Sequence, residues 1–139
     1  MLLPSDILSS VEFNSTKNSI LVECKFVNRE KSLNTNLVLD TGATTTIISW
    51  YLSNSLGLEP ALSKEAVPFF TASGKIEAPL VRVEEVWVGS VVVKKLEVIV
   101  HDLPQESGVI GLLGLNFLRN FEVKLDFRKG RITLNKWRK

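Results

Sequence analysis

The chain places one carboxylate where an apolar run stops. In Leu37-Val38-Leu39-Asp40-Thr41-Gly42-Ala43-Thr44, three aliphatic residues lead into an acid, a hydroxyl and a glycine. A short apolar run bounded by turn residues reads as a buried strand. Asp40 therefore stands at the strand's exit from the core. A carboxylate in that setting needs hydrogen bonds or a partner. Acids held at such edges are candidates for proton transfer. Thr41 adds a hydroxyl beside it, and Gly42 permits a tight turn and the close approach of another backbone.

Other reactive groups have simpler explanations. Cys24 is the single cysteine, so no intrachain disulfide forms, which suits a reducing compartment. It shares an alternating face with Ile20, Val22 and Phe26, which makes it a core residue. His101 is the single histidine and follows the strand ending at Val100, as a loop or edge residue. No spacing of His, Cys, Asp and Glu suggests a metal site, so none is expected, and no cofactor either. Gly108, Gly111 and Gly114 lack the strand–helix setting of a phosphate loop and fit close backbone packing. An aspartyl-phosphate enzyme would also place Asp at a strand end. It would require magnesium ligands and a parallel α/β sheet, against this β-rich pattern.

The positioning elements are mostly strands. Ser19 to Val27 alternates, Asn28-Arg29-Glu30-Lys31 turns, and Leu33 to Leu39 runs into Asp40. Thr44 to Ile48 is β-branched and strand-like. Ser49 caps a short helix over Trp50 to Leu56, stopped by Gly57. Ala66 to Phe70 and Lys75 to Val88 flank a turn at Ser73-Gly74. Gly89-Ser90 forms a two-residue hairpin loop before Val91-Val92-Val93. A second short helix covers Leu115 to Asn120. Phe121, Val123, Leu125 and Phe127 alternate with polar residues, and Lys129-Gly130 turns the chain into Arg131 to Asn135.

With 139 residues, 45% hydrophobic and 23% charged, the chain fits one domain, residues 1–139. No repeat or linker divides it. The apolar runs are too short for a membrane span, and Met1-Leu2-Leu3-Pro4-Ser5-Asp6 lacks the features of a signal peptide. The expected location is cytoplasmic, without a membrane partner. The net charge of +2 is uneven. Arg128, Lys129, Arg131, Lys136, Arg138 and Lys139 come without an acid, while the rest carries 11 bases and 15 acids. That basic end reads as a solubilising surface. No zinc finger, basic helix or RNA-binding aromatic motif joins it, so nucleic acid is not expected as a partner.

Three ordered segments resemble the retropepsin-like aspartic proteases of the single-domain, non-viral branch. They are Asp40-Thr41-Gly42, then Thr71-Ala72-Ser73-Gly74-Lys75 between strand-like sequences, then Leu112-Leu113-Gly114-Leu115-Asn116-Phe117-Leu118. The likeness covers about residues 33–134. It implies an all-β fold with one or two short helices, a closed barrel of the acid-protease type, and a peptide or protein substrate. Asp40, Thr41 and Gly42 would be catalytic. Ala43, Thr71, Ala72, Ser73 and Gly74 would meet substrate, the last four at a flap. Leu112, Leu113 and Gly114 would support the active loop.

The chemistry of that family needs two carboxylates sharing a water. This chain has one signature and about half the length of a two-lobed enzyme, and neither Asp102 nor Asp126 is followed by Thr/Ser-Gly. The second Asp40 must then come from a second copy across a two-fold axis. The expected function is a homodimeric aspartic endopeptidase. The alternative is a catalytically silent dimer that binds peptide or serves a structural role. One departure sets the chain apart from retroviral members. Their acid–arginine pair is replaced here by Thr44 and Leu115, and their terminal dimer strands have no clear match.

Overall fold

A computed structural model describes residues 6–137. The expectations for residues 1–5, and for Arg138 and Lys139, lie outside the described residues. Among the described residues there are ten strands and two short α-helices. In chain order these are β1 (Ile7–Glu12), β2 (Leu21–Asn28), β3 (Lys31–Leu39), β4 (Thr46–Ile48), α1 (Trp50–Ser55), β5 (Ala66–Thr71), β6 (Gly74–Val88), β7 (Val91–Val100), β8 (Gly111–Leu113), α2 (Leu115–Leu118), β9 (Glu122–Asp126) and β10 (Arg131–Asn135).

Six strands close a barrel in the order β2-β3-β8-β4-β7-β6, with β6 returning to pair with β2. Closure removes free sheet edges. Strand β6 is long enough to serve two neighbours. Its first part, Gly74 to Pro79, pairs with β5, and Leu80 to Val88 pairs with β7. The β5–β6 hairpin therefore projects from the barrel, with β5 at the outer edge. Pro68 and Pro79 sit in this hairpin, where an edge tolerates a residue that cannot donate to the ladder. Strands β1, β10 and β9 form a second sheet. Its inner residues Val11, Ile132, Leu134, Val123 and Leu125 join the barrel core around Phe26, Leu37, Val83 and Phe117.

The alternation in β2 buries Val22, Cys24 and Phe26 and turns Glu23 and Lys25 outward, as its sequence implies. Gly57 ends α1 with φ +71°, and Gly89 opens the β6–β7 turn with φ +57°; both conformations favour glycine. Some boundaries differ from the sequence reading. Strand β4 starts at Thr46, because the carbonyls of Ala43 and Thr44 are taken by Leu115 and Asn116. Strand β2 starts at Leu21, α1 stops at Ser55 and α2 stops at Leu118. Phe127 lies beyond β9 and meets Phe13 edge-on.

Burial pushes the Cys24 thiol up to about 12, from an ordinary 9.0. The neutral thiol is thus the folded form, and the unfolded chain loses its proton first. Stability from this group is full below pH 9 and falls as pH rises toward 12, by at most about 1.4 kcal/mol per pH unit. Denaturant unfolding at pH 8 and pH 10.5 checks this. The wild type should lose more stability between the two than Cys24→Val, which has no proton to lose. An equal loss in both proteins would refute the assignment.

Candidate active site

Strand β3 delivers Asp40 to the surface. Leu37 is fully buried, Val38 and Leu39 are half-buried, and Asp40 follows half-exposed. The neighbouring parallel strand β8 fixes its backbone, since the Asp40 N–H donates to the Leu113 carbonyl at 3.0 Å. Beyond Asp40 the chain folds back on itself. The Ala43 N–H donates to the Asp40 carbonyl at 3.2 Å, and the Gly42 N–H donates to the Asp40 side-chain Oδ1 at 2.8 Å. That second bond orients the carboxylate. Thr41 and Gly42 are exposed at the tip of the turn.

The segment carrying Leu112, Leu113 and Gly114 holds the loop from behind. The Leu115 N–H donates to Ala43 O at 2.8 Å, and the Asn116 N–H to Thr44 O at 3.1 Å. These two bonds join the two segments through their backbones. Asn116 then ties three elements together. Its Oδ1 accepts from the Thr46 N–H at 2.9 Å and from the Thr46 hydroxyl at 2.8 Å. Its Nδ2 donates to Glu97 O on β7 at 2.7 Å. The Thr46 hydroxyl in turn accepts from the Gly114 N–H at 3.1 Å. Thr46 is fully buried, so a missing partner here leaves an unsatisfied polar group. Sequence reasoning missed both Thr46 and Asn116. The polar Asn116 inside an otherwise apolar run was the available signal.

A cleft of about 510 Å³ opens beside Asp40. Gly42, Ala43, Thr44 and Thr45 form its rim, and Ile47, Ile99 and Leu112 its floor. The opposite wall is β5, through Val67 to Phe70. Ile47, Ala78 and Ile99 form a small apolar cluster apart from the main core, against which Val67, Phe69, Leu80 and Leu112 pack. The cleft thus joins one acid to an apolar trough. Thr71, Ala72, Ser73 and Gly74 occupy the hairpin tip and lie outside the cleft lining. The expected substrate contacts therefore divide into Ala43 at the rim and four residues at the tip, with the β5 strand residues between them unanticipated.

The other sequence candidates are accounted for by packing. Cys24 is buried in the core. His101 packs its ring against Phe69 with centroids 4.9 Å apart. Gly111 and Gly114 mark close backbone approaches, against Ile47 and against Ala43 to Thr46 respectively. Among the described residues no group of three His, Cys, Asp or Glu is placed to hold a metal ion, and no helix is long and apolar enough to cross a membrane.

A closed six-stranded barrel, with Asp-Thr-Gly on a loop laced to a Leu-Leu-Gly strand, defines an aspartic-protease domain of the retropepsin-like class. The chain belongs to the family described as gag-polyprotein putative aspartyl protease, whose model matches residues 27–120. Among solved structures it is similar to a retropepsin-like aspartic protease from Rickettsia conorii, at 24% identity and a TM-score of 0.68, over 91% of this chain and 89% of that one. No curated protein matches it. At that identity the structural likeness speaks for the fold. The matched span holds Asp40 to Thr44, the β5–β6 hairpin and Leu112 to Asn116. Family and fold together give the chain an aspartic protease role.

Proposed function

We propose that the chain is an aspartic endopeptidase that works as a homodimer, with one Asp40 from each subunit activating a shared water. The observation that carries this reading is the single oriented carboxylate at an exposed turn beside an apolar cleft. One carboxylate cannot both take a proton from water and donate one to the scissile carbonyl. Two brought together hold one proton between them, because the second ionisation is opposed by the first. The exposed Thr41 would hydrogen-bond across the dimer and keep the two loops coplanar. Gly42 and Ala43 would accept the substrate backbone at the rim. The β5–β6 hairpin would close over an extended peptide, bringing Thr71, Ala72, Ser73 and Gly74 onto it and excluding water. Leu112, Leu113 and Gly114 would hold the loop from below.

Cleavage of a peptide library followed by mass spectrometry tests the reading, with enzyme concentration and pH as the variables. Specific activity should fall on dilution, in step with the loss of dimer seen by sedimentation. The pH profile should be a bell whose two limbs belong to the coupled pair. EDTA should leave the rate unchanged. Activity that is constant across the dimer-to-monomer transition would overturn the shared site. A confirmed dimer without cleavage from pH 3 to 8 would leave the silent peptide-binding module.

A further inference from the structure

The floor of the Asp40 cleft does not stop at its rim. Strands β8, β4 and β7 lie side by side, and Leu112, Ile47 and Ile99 point from them to the same face, into the cleft. The ladder continues past the strand ends. The Ser49 N–H donates to Ile110 O at 3.1 Å, and the His101 N–H donates to Ile48 O at 3.0 Å. With a period of two, Ile110, Ser49 and His101 share the face of Leu112, Ile47 and Ile99. They stand one side-chain repeat further on, about 7 Å along the strands. A second groove of about 420 Å³ begins there, lined by Ser49, Ile110, Tyr51, Leu103, Val109 and Asp102, among others. His101 stands at the junction, its ring against Phe69 of the cleft wall.

The groove has its own chemistry. Tyr51 is 80% exposed and Ile110 is 42% exposed, so both present apolar surface to solvent. Asp102 is exposed and is the one charged residue lining the groove among the described residues. Its Oδ1 accepts from the Trp50 N–H at 3.0 Å at the start of α1, which fixes where the carboxylate stands. A fixed carboxylate beside an aromatic ring and aliphatic side chains suits a long side chain with an apolar stem and a cationic head.

We propose that this groove is a distal subsite of the cleft, taking a lysine or arginine side chain of the bound peptide with Asp102 as its specificity-determining residue. The inference rests on the peptidase reading, since a peptide lying in the cleft is what carries the side chain across the junction. Successive side chains on one face of an extended peptide are also about 7 Å apart. The occupant therefore comes from a residue at least two positions from the one seated on Ile47 and Leu112.

The test uses peptides identical but for one residue, which is Arg, Gln or Glu, scanned outward from a cleaved bond. At one outlying position the Arg peptide should exceed the Glu peptide by about threefold to tenfold in kcat/KM. Asp102→Asn keeps an oxygen for the Trp50 N–H and should bring the ratio close to one. Asp102→Lys should invert it. The ratio is taken within one protein, so a general loss of folded enzyme does not mimic either result. Cleavage indifferent to charge at every outlying position, or a preference unchanged in Asp102→Lys, would overturn the inference and leave the peptidase reading standing. A weaker dimer in Asp102→Lys, with the charge preference intact, would assign the groove to the second subunit instead. Failure to cleave any peptide would overturn both readings.

Discussion

Asp40→Asn should abolish peptide cleavage and keep the fold. The substitution is nearly isosteric, and the amide oxygen can still accept the Gly42 N–H that now holds the carboxylate at 2.8 Å. The loop therefore keeps its shape while the proton acceptor is lost. Proton transfer by a positioned group contributes about 10² to 10⁴ in rate, and each Asp40 of a dyad serves the other, so a loss of at least about 10³-fold in kcat is expected. Removing like charges from the axis should leave the dimer as tight as before or tighter. Subunit exchange makes the experiment sharper. After wild type is mixed with an equal amount of the variant, its activity should fall to about half, because random pairing leaves about one dimer in four with both acids. A self-contained active site would show no such fall. Cleavage by the variant at the wild-type rate would remove Asp40 from the chemistry altogether.

Legibility followed the range of the interactions. The period-two pattern of Val22, Cys24 and Phe26 reports a local constraint, the pleat of one strand, and it marks the core face correctly. The Asp40 turn was equally plain, because an apolar run, an acid and a glycine carry its chemistry within a few residues. Strand β1 was missed for a local reason too. A register shift between Ile7 and Ser9 interrupts its alternation, and serines occupy its middle. The lacing behind the loop was hidden by distance. Asn116 meets Thr46 from 70 residues away and Glu97 from another strand, and no pattern around position 116 encodes either partner. The cleft wall was half visible. The sequence marks the turn at the hairpin tip, but only the packing of Val67 and Phe69 on Ile47 and Ile99 makes β5 the wall.

Gly114→Ala should damage both stability and turnover, and for a reason unrelated to backbone freedom. Gly114 has φ −98° and ψ −175°, an extended conformation open to any residue. The constraint is space. A Cβ there would lie 2.8 Å from the Ala43 carbonyl oxygen, 2.8 Å from the Thr45 carbonyl carbon and 2.9 Å from the Thr46 nitrogen. All three are backbone atoms, so no side-chain rotation relieves the clash. The loop that carries Asp40 must move away from the strand that supports it. Overpacking of this kind costs about 1–3 kcal/mol. The movement also loosens the Gly114 N–H to Thr46 hydroxyl bond, whose acceptor is buried. A carboxylate displaced by about 1 Å can cost about 10²-fold in rate. The loss of kcat should therefore exceed what the unfolded fraction explains. Gly57→Ala serves as the comparison. It forces alanine to φ +71° at the end of α1, where the nearest atoms are 3.6 Å or more away on the flexible Lys31 side chain. That left-handed strain costs about 1–2 kcal/mol without touching the loop. At matched loss of stability by denaturant titration, Gly114→Ala should be far less active per folded molecule than Gly57→Ala. Equal specific activity in the two would mean that the Leu-Leu-Gly strand supports the fold and does not position Asp40.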